Sequence, residues 1–245
     1  MWFADSLQTL STNIEKYSIN NILEPLTPQV KPESIPLTWK QAVQSERFVV
    51  HMIAAALVFA AILFTFPFFF QTIEMRQGIV LQDFVVGRIV PGDVSVPIFI
   101  CIWGITLLTA LRCVKDPNMF LVGLYGFVVL TLMRMATISL LPLNPPQGLI
   151  PLIDPISNFF YGKTHFVTKD LFFSGHTSSQ FLLFLCLRKK WDKTLALVSS
   201  ILVGAMVLIQ HVHYTIDVVA AFPLTYVCYR VGKTMASGGL KKNNA

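Results

Sequence analysis

"FVVHMIAAALVFAAILFTFPFFF", residues 48–70, contains no Asp, Glu, Lys or Arg. A helix needs about 20 predominantly apolar residues to cross the hydrocarbon core of a bilayer, so this stretch reads as a membrane span. It lies behind charged and Pro-containing sequence, too far from the N-terminus for a secretory signal peptide. Outward from it, similar runs occupy Val94–Leu111, Phe120–Leu141, roughly Leu171–Leu187, Leu195–Gln210 and Tyr214–Val231. The predicted fold class is all-α, a polytopic membrane helix bundle with six transmembrane helices. Composition agrees: charged residues make up 13% of the 245, against about 25% in soluble domains.

An even number of spans puts both termini on one side. The segments on that side hold fourteen of the nineteen Lys and Arg residues, the other loops hold Arg76, Arg88, Lys163 and Lys169, and Arg134 falls inside the third span. Positive loops stay cytoplasmic, so both termini are expected in the cytoplasm. The same bias accounts for the net charge of +6 without a nucleic-acid partner.

Three zones follow. Residues 1–47 form a cytosolic N-terminal segment in which Phe3, Leu7, Leu10, Ile14 and Tyr17 recur at helical spacing before Pro25, Pro28, Pro32 and Pro36. It reads as an interfacial or bundle-packed helix followed by a linker. Thr38 and Gln41 have the spacing of a capping box launching the first span. Residues 48–233 form the catalytic membrane domain, and residues 234–245 a flexible tail. Cys101, Cys113, Cys186 and Cys228 stand singly, without metal-ligand spacing.

Chemistry is concentrated in two stretches, "KDLFFSGHTSSQF" at 169–181 and "HVHYTIDVVAA" at 211–221. His213 and Asp217 are four apart, which places them on one helical face. A carboxylate there orients the imidazole and leaves its other nitrogen free to attack or to hold a proton. His176 starts the fourth span; the chain crosses to the basic turn Arg188–Lys193 and returns to His213, so all three residues share one membrane face. Ionisable groups at a bundle mouth are candidate functional groups. Two histidines and an aspartate suit phosphoryl transfer, with His213 as nucleophile, Asp217 as its orienter and His176 as the acid for the leaving oxygen. Ser174 offers a hydroxyl, and Gly175 lets backbone N–H groups approach a phosphate at a helix N-terminus. The competing reading makes the same trio three zinc ligands with an open position. His165 reads as a surface or loop histidine rather than a third catalytic one, His211 lacks a carboxylate four residues on, and His51 has no expected chemical role.

Residues 142–170, "PLNPPQGLIPLIDPISNFFYGKTHFVTKD", contain five prolines. Phe159, Phe160, Tyr161, Lys163, His165 and Lys169 combine aromatic rings with charge beside the site. A loop of this length is often functional; it reads either as a cover over a headgroup or as a surface connector.

"DLFFSGHT" and "HYTIDVVAA" resemble the paired catalytic motifs of the sphingomyelin synthase-related lipid phosphotransferases, a branch of the type 2 phosphatidic acid phosphatase superfamily. The resemblance covers roughly Val94–Val231 and implies the roles given above for His176, His213 and Asp217. Arg134, Thr137 and Leu141-Pro142 are similar to an upstream family motif, which implies phosphate binding by Arg134. Asp170 matches the first motif, whereas Thr168-Lys169 replaces its usual Cys-Gly, as in a divergent member. The chain has no Arg-Pro dipeptide, and Val207 stands where the superfamily's phosphatases usually carry an arginine. Those departures favour the phosphotransferase branch.

The expected function is transfer of a phosphate-containing headgroup from a phospholipid donor to a lipid alcohol acceptor (ceramide or diacylglycerol) through a phosphohistidine-type intermediate, without metal or cofactor. The expected partners are these lipids and the bilayer. The site is expected on the outer face, with catalytic His176, His213 and Asp217, and with Ser174, Gly175, Arg134 and Lys169 on the phosphate. A phosphatase that releases free phosphate is the alternative enzyme, and a non-catalytic lipid-binding or transport protein the alternative of another class.

Overall fold

Ser45 accepts a hydrogen bond from the N–H of Phe48 and starts helix α2, Glu46–Met75, whose 30 residues span about 45 Å. Its buried positions Phe48, Ala55 and Ile62 are seven residues apart. They form one stripe against the bundle, while Leu57, Phe64 and Phe68 on the other faces are exposed. The capping box of Thr38 and Gln41 is present, but it launches α1, Trp39–Gln44. The Ser45 cap restarts the chain as the long helix, so the box and the first long helix are separate devices.

The computed structural model describes residues 38–152 and 167–240. The predicted N-terminal helix and Pro linker, and the loop residues Phe159, Phe160, Tyr161, Lys163 and His165, lie outside them. The remaining helices are α3 (Ser95–Cys113), α4 (Pro117–Leu140), α5 (Gly175–Cys186), α6 (Lys190–Ile209) and α7 (Thr215–Leu240), with a short 3-10 turn at Val86–Arg88. Among the described residues no strand forms; a single parallel bridge pairs Ile79 with Leu143.

Helices α2, α3, α4 and α6 are long and apolar enough to cross a membrane. The other two expected spans differ for physical reasons. Leu171–Phe173 are not helical: Arg134 Nε donates to the carbonyl of Phe173 and Thr137 Oγ1 to that of Phe172. Ser174 then caps α5, whose 12 residues span about 18 Å, short of the roughly 30 Å hydrocarbon core. Helix α7 has length in plenty, but its buried face is a stripe of Asp217, Ala221, Thr225, Cys228, Gly232, Ala236 and Gly239. Such small side chains allow close helix contact and lower its hydropathy.

Helix α7 packs most extensively on α4 and also touches α2 and α5. At the α4 contact a Cβ on Gly232 would lie 2.6 Å from the backbone nitrogen of Gly126, so glycine sets the spacing of the two backbones. The helix continues to Leu240, beyond the expected boundary at Lys233, because Ala236 and Gly239 are buried; the ring of His51 lies beside Gly239. The main core joins Leu130, Phe173, Leu182, Ala196, Ala221 and Cys228. It fixes α4, α5, α6 and α7 around the two motifs.

Candidate active site

Helix α5 starts where it does because Ser174 Oγ accepts the N–H of Thr177 at 3.4 Å and donates to Thr177 Oγ1 at 3.1 Å. Ser174 is fully buried, so the hydroxyl expected on a phosphate is engaged as a helix cap instead. The first-turn N–H groups of Gly175 and His176 have no acceptor within the helix, and His176 is half-buried there.

The second motif meets the first through the backbone: the N–H of Ser174 donates to the carbonyl of Asp217 at 3.1 Å. In the first turn of α7, Asp217 Oδ2 accepts the N–H of Tyr214 at 2.9 Å and lies 3.4 Å from His213 Nδ1. That last distance is long for a hydrogen bond, as catalytic contacts without substrate often are. His213 is 4% exposed and Asp217 0%. The second carboxylate oxygen, Asp217 Oδ1, is buried without a hydrogen-bond partner. Asp217 thus faces the Nδ1 edge of the His213 ring and keeps one carboxylate oxygen with spare acceptor capacity.

Arg134 reaches this cluster from α4. Its guanidinium donates from Nη2 to Asp170 at 2.6 Å and from Nε to Phe173 O at 2.9 Å. A Cβ on Gly175 would come within 2.6 Å of Arg134 Cζ, so only glycine lets the cation lie against the N-terminus of α5. Cation and helix dipole then favour an anion at one place.

Lys169 is directed elsewhere. Its ammonium donates to the carbonyl of Glu74 at 2.8 Å and to that of Arg76, at the end of α2; those carbonyls lack helical partners and attract a cation. Five of the expected residues, Arg134, Gly175, His176, His213 and Asp217, thus belong to the joined α5 and α7 N-termini and the guanidinium beside them. Ser174 serves that junction as a cap, and Lys169 anchors the loop to α2.

Several supporting contacts had no mark in the sequence, although His211 and Tyr214 lie within the second motif. Asp83 Oδ2 accepts the N–H of Thr215 at 2.6 Å, while its Oδ1 accepts from Thr215 Oγ1, Val85 N and Val86 N. It thereby caps α7 beside Asp217. Burial pushes its carboxyl upward, but the hydrogen bonds from Thr215, Val86 and Val85 outweigh this and hold it below the ordinary 3.8. Tyr214 Oη donates to the carbonyl of Asn144 at 2.8 Å and accepts the N–H of Leu81. His211, in the left-handed region at φ 56, places Nδ1 2.7 Å from Gln147 O and Nε2 3.0 Å from Ile89 O. Its ring is committed to backbone, which separates it from His213 two residues on. For Asp83 the one available signal was its outer-loop location, because its partner is remote in sequence. Among the described residues no three His, Cys, Asp or Glu side chains group as a metal-binding set.

Residues 169–234 match the family model described as PAP2 superfamily C-terminal. The matched segment contains both motifs and supports the superfamily, whose members are generally phosphatases or phosphotransferases. No curated protein and no solved structure matches the chain.

Proposed function

We propose that this protein is a six-span membrane phosphotransferase that moves a phosphate-containing headgroup from a phospholipid to a lipid alcohol. The observation that carries this reading is the hydrogen bond from Ser174 N–H to Asp217 O, which joins the helix start bearing His176 to the turn bearing His213. The phosphate of the donor sits against the α5 N-terminus and Arg134, where developing negative charge is stabilised.

The Nε2 lone pair of His213 attacks phosphorus, and the bond from phosphorus to the donor's lipid oxygen breaks. That oxygen takes a proton from His176 and leaves as an alcohol. The imidazolium-like ring of His213 is stabilised by Asp217. The acceptor hydroxyl then gives its proton to His176 and attacks phosphorus, the phosphorus–nitrogen bond breaks, and both histidines return to their starting states. The site faces outward, in keeping with the fourteen-to-four bias of positive charge. A cysteine introduced at Arg88 should therefore be labelled from outside intact cells, and one at Lys190 should not.

Product analysis tests the reaction. Purified protein receives phospholipid labelled in its phosphate, with and without ceramide or diacylglycerol. Label appearing on the acceptor, with turnover that rises with acceptor and tolerates EDTA, supports the transferase. Label released as free phosphate at a rate indifferent to acceptor assigns a phosphatase, and no change in the labelled lipid removes both.

A further inference from the structure

At the end of the bundle opposite His213 lies a cavity of about 560 Å³ with almost wholly apolar walls. This is the size of an ordinary small-molecule site. Its lining includes Trp39, Thr109, Gly123, Phe127, Leu183 and Cys186, contributed by α1, α3, α4 and α5. Thr109 Oγ1 donates to Ile105 O of its own helix at 2.8 Å, and Trp39 Nε1 to Cys113 O at 3.0 Å. Both donors are turned onto protein carbonyls, so the walls offer a polar ligand little beyond the Thr106 hydroxyl.

We infer that this cavity holds one acyl chain of an anionic phospholipid from the leaflet at the α1 end, as a lipid site separate from the histidine site. Two observations select that occupant. First, the walls are apolar and are drawn from four helices, which suits hydrocarbon rather than a polar solute. Second, charge at this end is one-sided. Residues 38–47, 112–116 and 188–193 carry eight basic and three acidic side chains. Two of the three carboxylates are paired, Asp192 with Arg112 at 2.6 Å and Asp116 with Arg188 at 2.9 Å. Exposed Lys40 and Lys115 adjoin the lining residues Trp39 and Val114, so positive charge borders the apolar space. A headgroup at that border with a tail inside satisfies both, and basic residues beside membrane helices favour anionic lipid.

The full chain in phosphatidylcholine nanodiscs, doped with phosphatidylglycerol bearing a diazirine on one acyl chain, tests this. Illumination should label peptides within residues 106–127 above the level at lipid-exposed Leu57–Phe68. A Cβ at Gly123 would meet only Cys186 Sγ, at an ordinary 3.8 Å, so Gly123→Phe projects its ring into the cavity and should abolish the excess. Ala110→Leu is the milder variant if the first does not fold. Replacing Lys40 and Lys115 together by Gln should remove the preference for the phosphatidylglycerol probe over a phosphatidylcholine one. Even labelling of α2 and residues 106–127, excess labelling that survives both filling variants, or cross-links to residues 1–37 in place of lipid would overturn the assignment. Headgroup transfer should persist in Gly123→Phe; its loss from folded protein would make the cavity part of the substrate site and overturn the separate one. The labelling readout does not depend on turnover, so failure of the proposed reaction leaves it interpretable.

Discussion

The two ends of the bundle are held together differently. At the His213 end, groups far apart in the chain meet through hydrogen bonds to buried or half-buried atoms: Asp83 to Thr215, Tyr214 to Asn144, Ser174 to Asp217 and Arg134 to Phe173. At the opposite end, the ion pairs of Arg112 with Asp192 and Arg188 with Asp116 tie helix hairpins with the arginine side chains 33% and 57% exposed, although Asp192 itself is buried. Exposed pairs are screened by water and contribute little, whereas an unpaired buried polar group is costly. The first end therefore tolerates few changes and can hold reacting groups in fixed geometry. The second can lose a pair and remain folded.

The largest expected effect falls on the His213 end. His213→Ala should lower transfer by about 10⁴-fold to 10⁶-fold in protein that still inserts and elutes as wild type, with Asp217→Asn losing less. Near-normal turnover in His213→Ala would remove the nucleophile assignment and leave the tight packing there as structure alone.

Gly175→Ala comes next. The new methyl would meet the Arg134 guanidinium at 2.6 Å, and that group is held by Asp170 and Phe173 O, so it cannot swing away without breaking both contacts. A loss of about 1–3 kcal/mol in stability is expected from overpacking, together with weaker substrate binding. Thermal unfolding in detergent and the KM of the donor lipid measure the two effects.

A smaller effect is expected at Asp83. Removing this cap with Asp83→Ala should cost about 1 kcal/mol. Because hydrogen bonding holds its carboxyl below 3.8 in the folded protein, its stabilising contribution is present above the unfolded carboxylate range and is lost as pH falls through the lower folded value. The stability gap between wild type and Asp83→Ala should therefore be full at neutral pH and close in acid below about 3.8. A gap that widened in acid would contradict the cap.

Smallest of all, Arg188→Ala should leave turnover unchanged and move the unfolding midpoint no further than the scatter between preparations, since this arginine is 57% exposed. A loss of activity there would show that the two ends are coupled and erase the contrast between them.

Much of the architecture was legible because membrane solvation acts on every residue of a span. The apolar runs gave α2, α3, α4 and α6 within a few residues; the four-residue step from His213 to Asp217 brings the two side chains to 3.4 Å, but His213 precedes α7, which starts at Thr215, and does not share a helical face with Asp217. Thr38 and Gln41 gave a true capping box, since such a box is completed within one turn. These features are local, and side-chain chemistry at fixed spacing decides them.

What lay beyond the sequence is the set of contacts made across the fold. Nothing in "LFFSGHT" shows that carbonyls of Phe172 and Phe173 are taken by Thr137 and Arg134, so the start of α5 and its short length follow only from packing on α4. The same holds for Ser174, whose hydroxyl serves as cap or ligand according to where its helix begins, and for Lys169, which the open carbonyls at the end of α2 draw aside. Asp83 and Thr215 are 132 positions apart. A hydrogen bond over that separation leaves no periodicity in the chain: apolar spacing is repeated along a helix by the solvent it faces, whereas a single directed bond exists only once two surfaces have been brought together.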